Sequence, residues 1–384
     1  MDFVETNERT MLRAAVGDIA RRYGHGYYVE KAHRGEKATE LWRDLAGAGF
    51  VGVNVPEEDG GGGAGIGELA IVCEELAAAG CPLLLLVVSS AIGGTMLARL
   101  GDEAQRKRWL PALAAGRFRM AFALTEPDAG TNTHRLAAVA TREGPRYRLR
   151  GTKYYTSCAD EADAVLVVAR TGTDQESGAA RLSLLVVDTD AEGLEMSPIP
   201  VQIVAPERQF TLFFDDVLVP ADRLLGTEGE GLRQLFYGLN PERITGAATA
   251  IGIARYALDK AAAYARERRV WDVPIGAHQG LAHPLAAAKI QAELAALMTE
   301  KAAWLYDAGK EAAGASNMAK YAAAEAALVC LDQSIQTHGG NGLSDEYGLA
   351  DLWGLARLLR TAPVSREMIL NHVATHALGL PRSY

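Results

Sequence analysis

RYRLRGTKYYTS, residues 146–157, opens a change of pattern that divides the chain. Three similar runs follow: ADAVLVVART (162–171), RLSLLVVDTD (181–190) and QFTLFFDDVLVP (209–220). Short runs rich in β-branched and aromatic residues, separated by Gly, Asp and Pro, predict strands. No helical stretch lies between them. The spacing therefore predicts an antiparallel sheet rather than parallel strands joined by helical crossovers.

On either side of these runs the period is helical. Upstream, Leu41, Leu45 and Ala48 recur at helical spacing in LWRDLAGAGFVG. ELAIVCEELAAAG and GTMLARLG repeat the pattern, with glycines closing each segment. Downstream, Ile244, Ile251, Leu258 and Ala265 fall at seven-residue steps, and Ala247, Ala254 and Ala261 fill a second seam. Small side chains on such a seam permit close helix approach, as in a bundle. The predicted fold is mainly α with a middle β domain: an N-terminal helical domain (1–120), a middle β domain (121–226) and a C-terminal helical bundle (227–384). No internal repeat is visible.

The 384 residues exceed what one hydrophobic core sustains, and 49% hydrophobic with 23% charged residues is a globular composition. A net charge of −9 gives no electrostatic reason to expect nucleic acid or an anionic membrane as partner. Cys73, Cys81, Cys158 and Cys330 are scattered, which fits thiols in a reducing cytoplasm better than disulfides or a metal site. The N-terminal stretch MDFVETNERTMLRAAV carries acids at helical spacing and does not read as a signal peptide. The apolar run PLLLLVVSSAIGGTML (82–97) is too short to span a bilayer and predicts a buried helix. Gly60, Gly62 and Gly65 match G-x-G-x-x-G, but VPEEDG separates them from the strand-like run. The tract therefore reads as a flexible surface connection, not a dinucleotide-binding turn.

AFALTEPDAGTNT, residues 121–133, places the Thr125 and Thr131 hydroxyls around a Pro-Asp-Ala-Gly turn. Such a turn exposes backbone N–H groups suited to an anion or a flavin edge, and equally makes an ordinary Asx-type turn. With its surroundings, the stretch resembles the signature of the acyl-CoA dehydrogenase family of flavoproteins. LTEPDAGTN is similar to that family's TEPxAGSD, and GTKYYTSCADEADAVLVVAR to its GxKxWITNxxxADxxxvxAR, without a gap. VPEEDGGGG resembles vPeeyGG, RERRVWDVPIGAHQ resembles ERxxFGxxixxxQ, and QTHGGNGLSDEYGLADL resembles QxxGGxGyxxexpvexl. These five blocks cover nearly the whole chain. The resemblance implies a helical N-terminal domain, an antiparallel β-barrel-like middle domain and a C-terminal four-helix bundle.

It also implies FAD as cofactor. Phe122, Leu124, Thr125, Gly130 and Thr131 would lie along the flavin, Thr131 also near substrate. Tyr155, Thr156 and Ser157 stand where the family has W-I-T. Tyr155 would pack on the ring, and Ser157 would offer its hydroxyl near flavin N5. Arg268, Trp271, Gln279, Gln336, Gly339 and Gly340 match residues that reach the FAD of a neighbouring subunit, which implies a homodimer or homotetramer. A guanidinium suits a pyrophosphate, and glycines admit close backbone approach. On the residues alone, Arg268 is a solvated charge and Tyr155 a cross-strand aromatic.

The reaction so implied is dehydrogenation of an acyl-CoA thioester to its trans-2-enoyl form. A carboxylate removes the α-proton, hydride leaves Cβ for flavin N5, and electrons pass to an electron-transfer flavoprotein. A carboxylate suits this work where burial raises its pKa toward neutrality. Most members carry it in a C-terminal YEGT turn, where this chain has Pro363. A minority, isovaleryl- and long-chain-type, carry it in LDxER. GLNPERI (238–244) matches that motif, with Glu242 as base and Asn240 and Arg243 beside the substrate.

Without the resemblance, NPE is a helix start: Asn240 caps, Pro241 is the first helical residue, and Glu242 complements the dipole. That dipole lowers a carboxyl pKa, so basicity at Glu242 requires apolar burial. Pro363 also lacks the backbone N–H that the family directs at the thioester carbonyl, and losing such a donor costs about 2.7–4 kcal/mol. Glu367 matches the acid of the family's GTSEIQR helix instead. An acyl-CoA oxidase, a flavin monooxygenase or an acyl-carrier-protein dehydrogenase would share the scaffold. The altered turn at 363 also motivates a non-catalytic subunit.

Overall fold

Local signals account for the helices of the first third of the chain. In the structure, a computed structural model describing residues 5–176 and 178–382, these are α1 (Asn7–Arg34), α2 (Thr39–Gly47), α3 (Ile66–Ala78), α4 (Thr95–Leu100) and α5 (Glu103–Ala114). The first four residues of the N-terminal stretch lie outside the described residues. The Thr6 hydroxyl accepts from Arg9 N at the start of α1, and Asp102 and Gln105 form a reciprocal capping box on α5. Residues 86–94 of the long apolar run adopt wider π turns before α4, every residue buried. The glycine tract is not the flexible connection expected. Gly61, Gly62 and Gly63 donate to the carbonyls of Pro56, Gly52 and Val55, and a Cβ on Gly61 would stand 2.3 Å from the Val55 oxygen.

The middle of the chain forms β1 (Met120–Ala123), β2 (Val139–Glu143), β3 (Arg146–Ser157), β4 (Ala164–Thr173), β5 (Ala180–Asp188), β6 (Leu194–Ile199), β7 (Gln209–Pro220) and β8 (Leu224–Leu225). They pair in the order β6-β7-β3-β2-β4-β5-β8, with β1 also on β4. The sheet is mixed, a correction to the antiparallel expectation. β1 pairs β4 in parallel, Met120 opposite Ala164 through Ala123 opposite Val167, and β2 touches β4 in parallel at Val139–Arg170. The link from β1 to β4 is the antiparallel β2–β3 pair, so parallel pairing needs no helical crossover here. Alternation along β4 divides two cores. Val165, Val167 and Ala169 enter the sheet's own core, while Leu166 and Val168 join the larger helical one.

The last third forms α6 (Gly231–Gln234), α7 (Phe236–Glu267), a short hairpin β9 (Arg269–Val270) to β10 (Val273–Pro274), α8 (Gln279–Asp307), α9 (Ala313–His338), α10 (Trp353–Thr361) and α11 (Arg366–His372). All seven residues of the two predicted seams on α7 are buried. No helix among the described residues is long and apolar enough to cross a membrane, and none of their His, Cys, Asp or Glu side chains cluster as a metal site.

Two buried glycines of α7 give opposite expectations. A Cβ on Gly252 would meet the Glu74 carbonyl oxygen at 2.3 Å, whereas one on Gly246 would meet only Leu359 Cδ2 at 3.9 Å. Gly252→Ala should destabilise the fold by about 1–3 kcal/mol through overpacking. Gly246→Ala should stabilise it by about 0.5–1 kcal/mol through helix propensity. Urea denaturation of both variants checks the contrast, and equal midpoints would refute it.

Candidate active site

Glu242 does not begin a helix. α7 starts at Phe236, so Pro241 is internal and Asn240 is not the cap, a correction to the reading of NPE as a helix start. The carbonyl that Pro241 leaves without its usual N–H donor is that of Tyr237, and the Tyr306 hydroxyl of α8 donates to it at 2.8 Å. Glu242 thus sits beyond the first turn, where the dipole effect has fallen off. Its Oε2 exposes no surface and has no hydrogen-bond partner. Desolvation pushes the carboxyl up to about 7, against the opposing pull of Arg243 and then Lys320. Arg243 is buried and donates to Asn240 Oδ1 at 2.9 Å, and its Nε has no partner.

The 122–131 stretch is held against β3 by a buried ion pair that the sequence reading missed. Lys153 Nζ donates to Glu126 Oε1 at 2.7 Å and to the Leu124 carbonyl at 3.0 Å. The Glu126 carboxylate also accepts from the backbone N–H groups of Ala137 and Ala138, closing both ends of the loop. Tyr154 N donates to the Thr125 carbonyl at 2.8 Å. Lys153 follows Tyr147 and Leu149 on the inward face of β3, but a lysine there reads as solvent-facing until packing shows it buried.

Phe122 and Leu124 are half-buried at the end of β1, as is Thr125, and Gly130 and Thr131 are exposed on the loop. Opposite them, pairing of β3 with β7 shifts register between Lys153 and Thr156. That bulge carries Tyr155 at φ 55°, the residue 53% exposed. Thr156 is buried with an unpartnered Oγ1. The Ser157 hydroxyl donates to Gln209 Oε1 at 2.8 Å.

The buried π segment at 86–94 joins this loop to the base, and its geometry had no sequence signal. Ser89 Oγ accepts from Met120 N at the head of β1. Ile92 and Met96 pack against Gly238, one turn before Glu242 on the same face of α7. Residues 89–96 thus touch both the head of β1 and the turn of α7 before Glu242. Wide turns of this kind recur at functional sites.

Arg268, Trp271, Gln279, Gln336, Gly339 and Gly340 gather elsewhere. α7 ends where α8 begins and where α9 ends, and the Tyr264 and His338 rings stack there with centroids 4.3 Å apart. Arg268 lies about 39 Å from Glu242 along α7, counting 1.5 Å per residue. All six residues are exposed, Trp271 to 86% on a tight turn at φ 54°. The structure does not bring them to the Glu242 site of their own chain.

Family models of the acyl-CoA dehydrogenase N-terminal, middle and C-terminal domains match residues 6–117, 121–217 and 229–378. Over 384 residues the chain is 55% identical to acyl-CoA dehydrogenase FadE12 of Mycobacterium tuberculosis, covering 100% of this chain and 99% of that one. Butyryl-CoA dehydrogenase from Megasphaera elsdenii superposes with a TM-score of 0.92 at 28% identity, covering 98% of this chain and 100% of its own. A glutaryl-coenzyme A dehydrogenase in complex with glutaryl-CoA gives 0.94 at 30% identity, covering 100% and 98%. The fold and site thus define an enzyme of the flavin-dependent dehydrogenase type. The chain belongs to the acyl-CoA dehydrogenase family.

Burial of the Lys153–Glu126 pair sets a testable cost. Lys153→Met leaves Glu126 without its cation and should destabilise by about 3–5 kcal/mol, with loss of the yellow colour of bound flavin. Adding Glu126→Gln should recover part of that stability. Equal urea midpoints for the single and double variants would contradict the pairing.

Proposed function

We propose that the protein dehydrogenates an acyl-CoA thioester to its trans-2-enoyl form with FAD as cofactor and Glu242 as base. The observation that carries this reading is the enclosed Glu242 carboxyl, whose Oε2 has no partner and whose pKa is pushed up to about 7. A base works best with a pKa near the working pH, and this one is balanced there by burial against two cations. Oε2 is free to take the α-proton, and the glutaryl-CoA complex of a relative supports a CoA thioester as substrate.

The residues present fit FAD. An unpartnered buried hydroxyl at Thr156, an exposed Tyr155 and open space over Gly130 would meet the flavin. When bound, FAD supplies the hydride acceptor. Asn240 holds the Arg243 guanidinium in place beside the base. Pro363, between α10 and α11, has no N–H to offer a thioester carbonyl, so activation at that point must come from another donor. The acceptor of the electrons would be an electron-transfer flavoprotein or similar carrier. Four buried thiols suit a reducing compartment, here taken as the cytoplasm.

The exposed group at Arg268 and Gln336 supports a homodimer or homotetramer, since one chain cannot bring it to its own Glu242 site. An apolar groove of about 470 Å³ between α8, α9 and α11 and the exposed Ile290, Leu294 and Leu297 give such an assembly a surface to bury.

Anaerobic mixing with acyl-CoA should bleach the visible flavin absorbance, and Glu242→Gln should abolish bleaching while FAD stays bound. Bleaching by that variant at the wild-type rate would sink the assignment. In the wild type the rate should rise with pH through about 7, because the base acts only when deprotonated. Arg268→Glu should lower the ratio of flavin to protein without altering the fold, read by absorbance and circular dichroism. Full flavin content in that variant would argue against the shared cofactor site.

A further inference from the structure

α9 carries one lysine, Lys320, in SNMAKYAAAEAALVC, and it lies on the helix's buried stripe with Ser316, Ala323, Ala327 and Leu331. Its side chain is 2% exposed. A cation so placed needs partners, because burial without them is costly. Among the described residues its one hydrogen bond is to the Val364 carbonyl, at 2.6 Å. Val364 follows Pro363 in the loop between α10 and α11.

We propose that Lys320 is a positioning residue for the base: tethered to the Val364 carbonyl, it supplies, beside Arg243, a buried positive charge that favours the Glu242 carboxylate. This inference rests on Glu242 acting as the base. The charges facing Lys320 are Glu242 and Arg243 on α7, Glu325 on its own helix and Glu367 on α11. Glu325 is already committed, receiving Arg360 at 2.6 and 2.7 Å, with Arg366 at 3.5 Å. Glu367 is exposed in the first turn of α11. The buried anion left without a hydrogen bond is Glu242 Oε2. Arg243 also faces Glu242, and His372 of α11 faces Arg243 in turn. Arg243, however, is fixed by Asn240 on its own helix, so it carries no information about the 363 loop. Lys320 links that loop to a charge facing the base.

Burial lowers Lys320 to about 8, which leaves it charged at neutral pH. Its charge favours the carboxylate, so removing it raises the Glu242 pKa and moves the active form to higher pH.

The test is the pH dependence of anaerobic flavin reduction by acyl-CoA in Lys320→Gln and Lys320→Arg. Gln keeps an N–H donor for Val364 and drops the charge, whereas Arg keeps the charge. The acid limb of Lys320→Gln should move up by about one pH unit, with the rate recovering in alkali. Lys320→Arg should keep the wild-type limb. An unmoved limb in Lys320→Gln, or an equal loss at every pH, would overturn the proposal. So would failure of both variants to retain FAD, which would assign Lys320 to folding. Flavin reduction by Glu242→Gln would instead overturn the parent reading, so the two failures are distinguishable.

Discussion

Gly252 brings the backbone of α3 against α7, with the Glu74 carbonyl oxygen where a side chain would stand. Ala247, Ala254 and Ala261 leave α7 a second narrow seam. Little space remains between helices packed on such small residues. Polar groups on the same helix are also enclosed without partners. Arg243 is enclosed with its Nε unpaired, and Glu242 with its Oε2 unpaired. The chemistry follows from packing before it follows from any catalytic motif.

Enclosure sets the energy scale. Raising a carboxyl from 4.5 to about 7 corresponds to roughly 3 kcal/mol against ionisation. Desolvation is the largest contribution, and Arg243 and Lys320 oppose it without cancelling it. A fully compensated ion pair would leave a carboxylate too weak to take a proton. A fully apolar pocket would leave it protonated. The intermediate balance suits Glu242 to the proposed role of base, whereas the Lys153–Glu126 pair, closed by two backbone N–H groups, is suited to hold a loop.

Periods of 3.6 and 2 were enough to place α2, α3, the four longer strands β3, β4, β5 and β7, and the buried seams of α7, but not the shorter strands β1, β2, β6 and β8. They did not reveal how α7 begins. Asn-Pro-Glu has every local mark of a helix start, and only the Tyr306 hydroxyl, from 65 residues downstream, lets Pro241 sit inside. Nor does MAFA indicate that β1 runs parallel to β4, since alternation is blind to strand direction. The π turns at 86–94 arise in an apolar run whose composition is that of any buried helix. At the site, the LDxER-like motif pointed to Glu242 as the proposed base, and the RERRVWDVPIGAHQ and QTHGGNGLSDEYGLADL blocks to the residues proposed to share a cofactor between chains. Nothing pointed to Lys153 or Lys320, because a lysine among alternating or alanine-rich residues reads as solvent-facing until packing shows it buried.

Proton abstraction can be separated from everything that follows it. A thioester whose β-carbon is replaced by sulfur still has an acidic α-proton but no β-hydride to lose. Its α-proton exchange into D₂O, followed by mass spectrometry on the FAD-loaded enzyme, reports the base alone. The wild type should exchange that proton, faster as pH rises through about 7, and Glu242→Gln should not. Exchange by Glu242→Gln at the wild-type rate would contradict the assignment of the base.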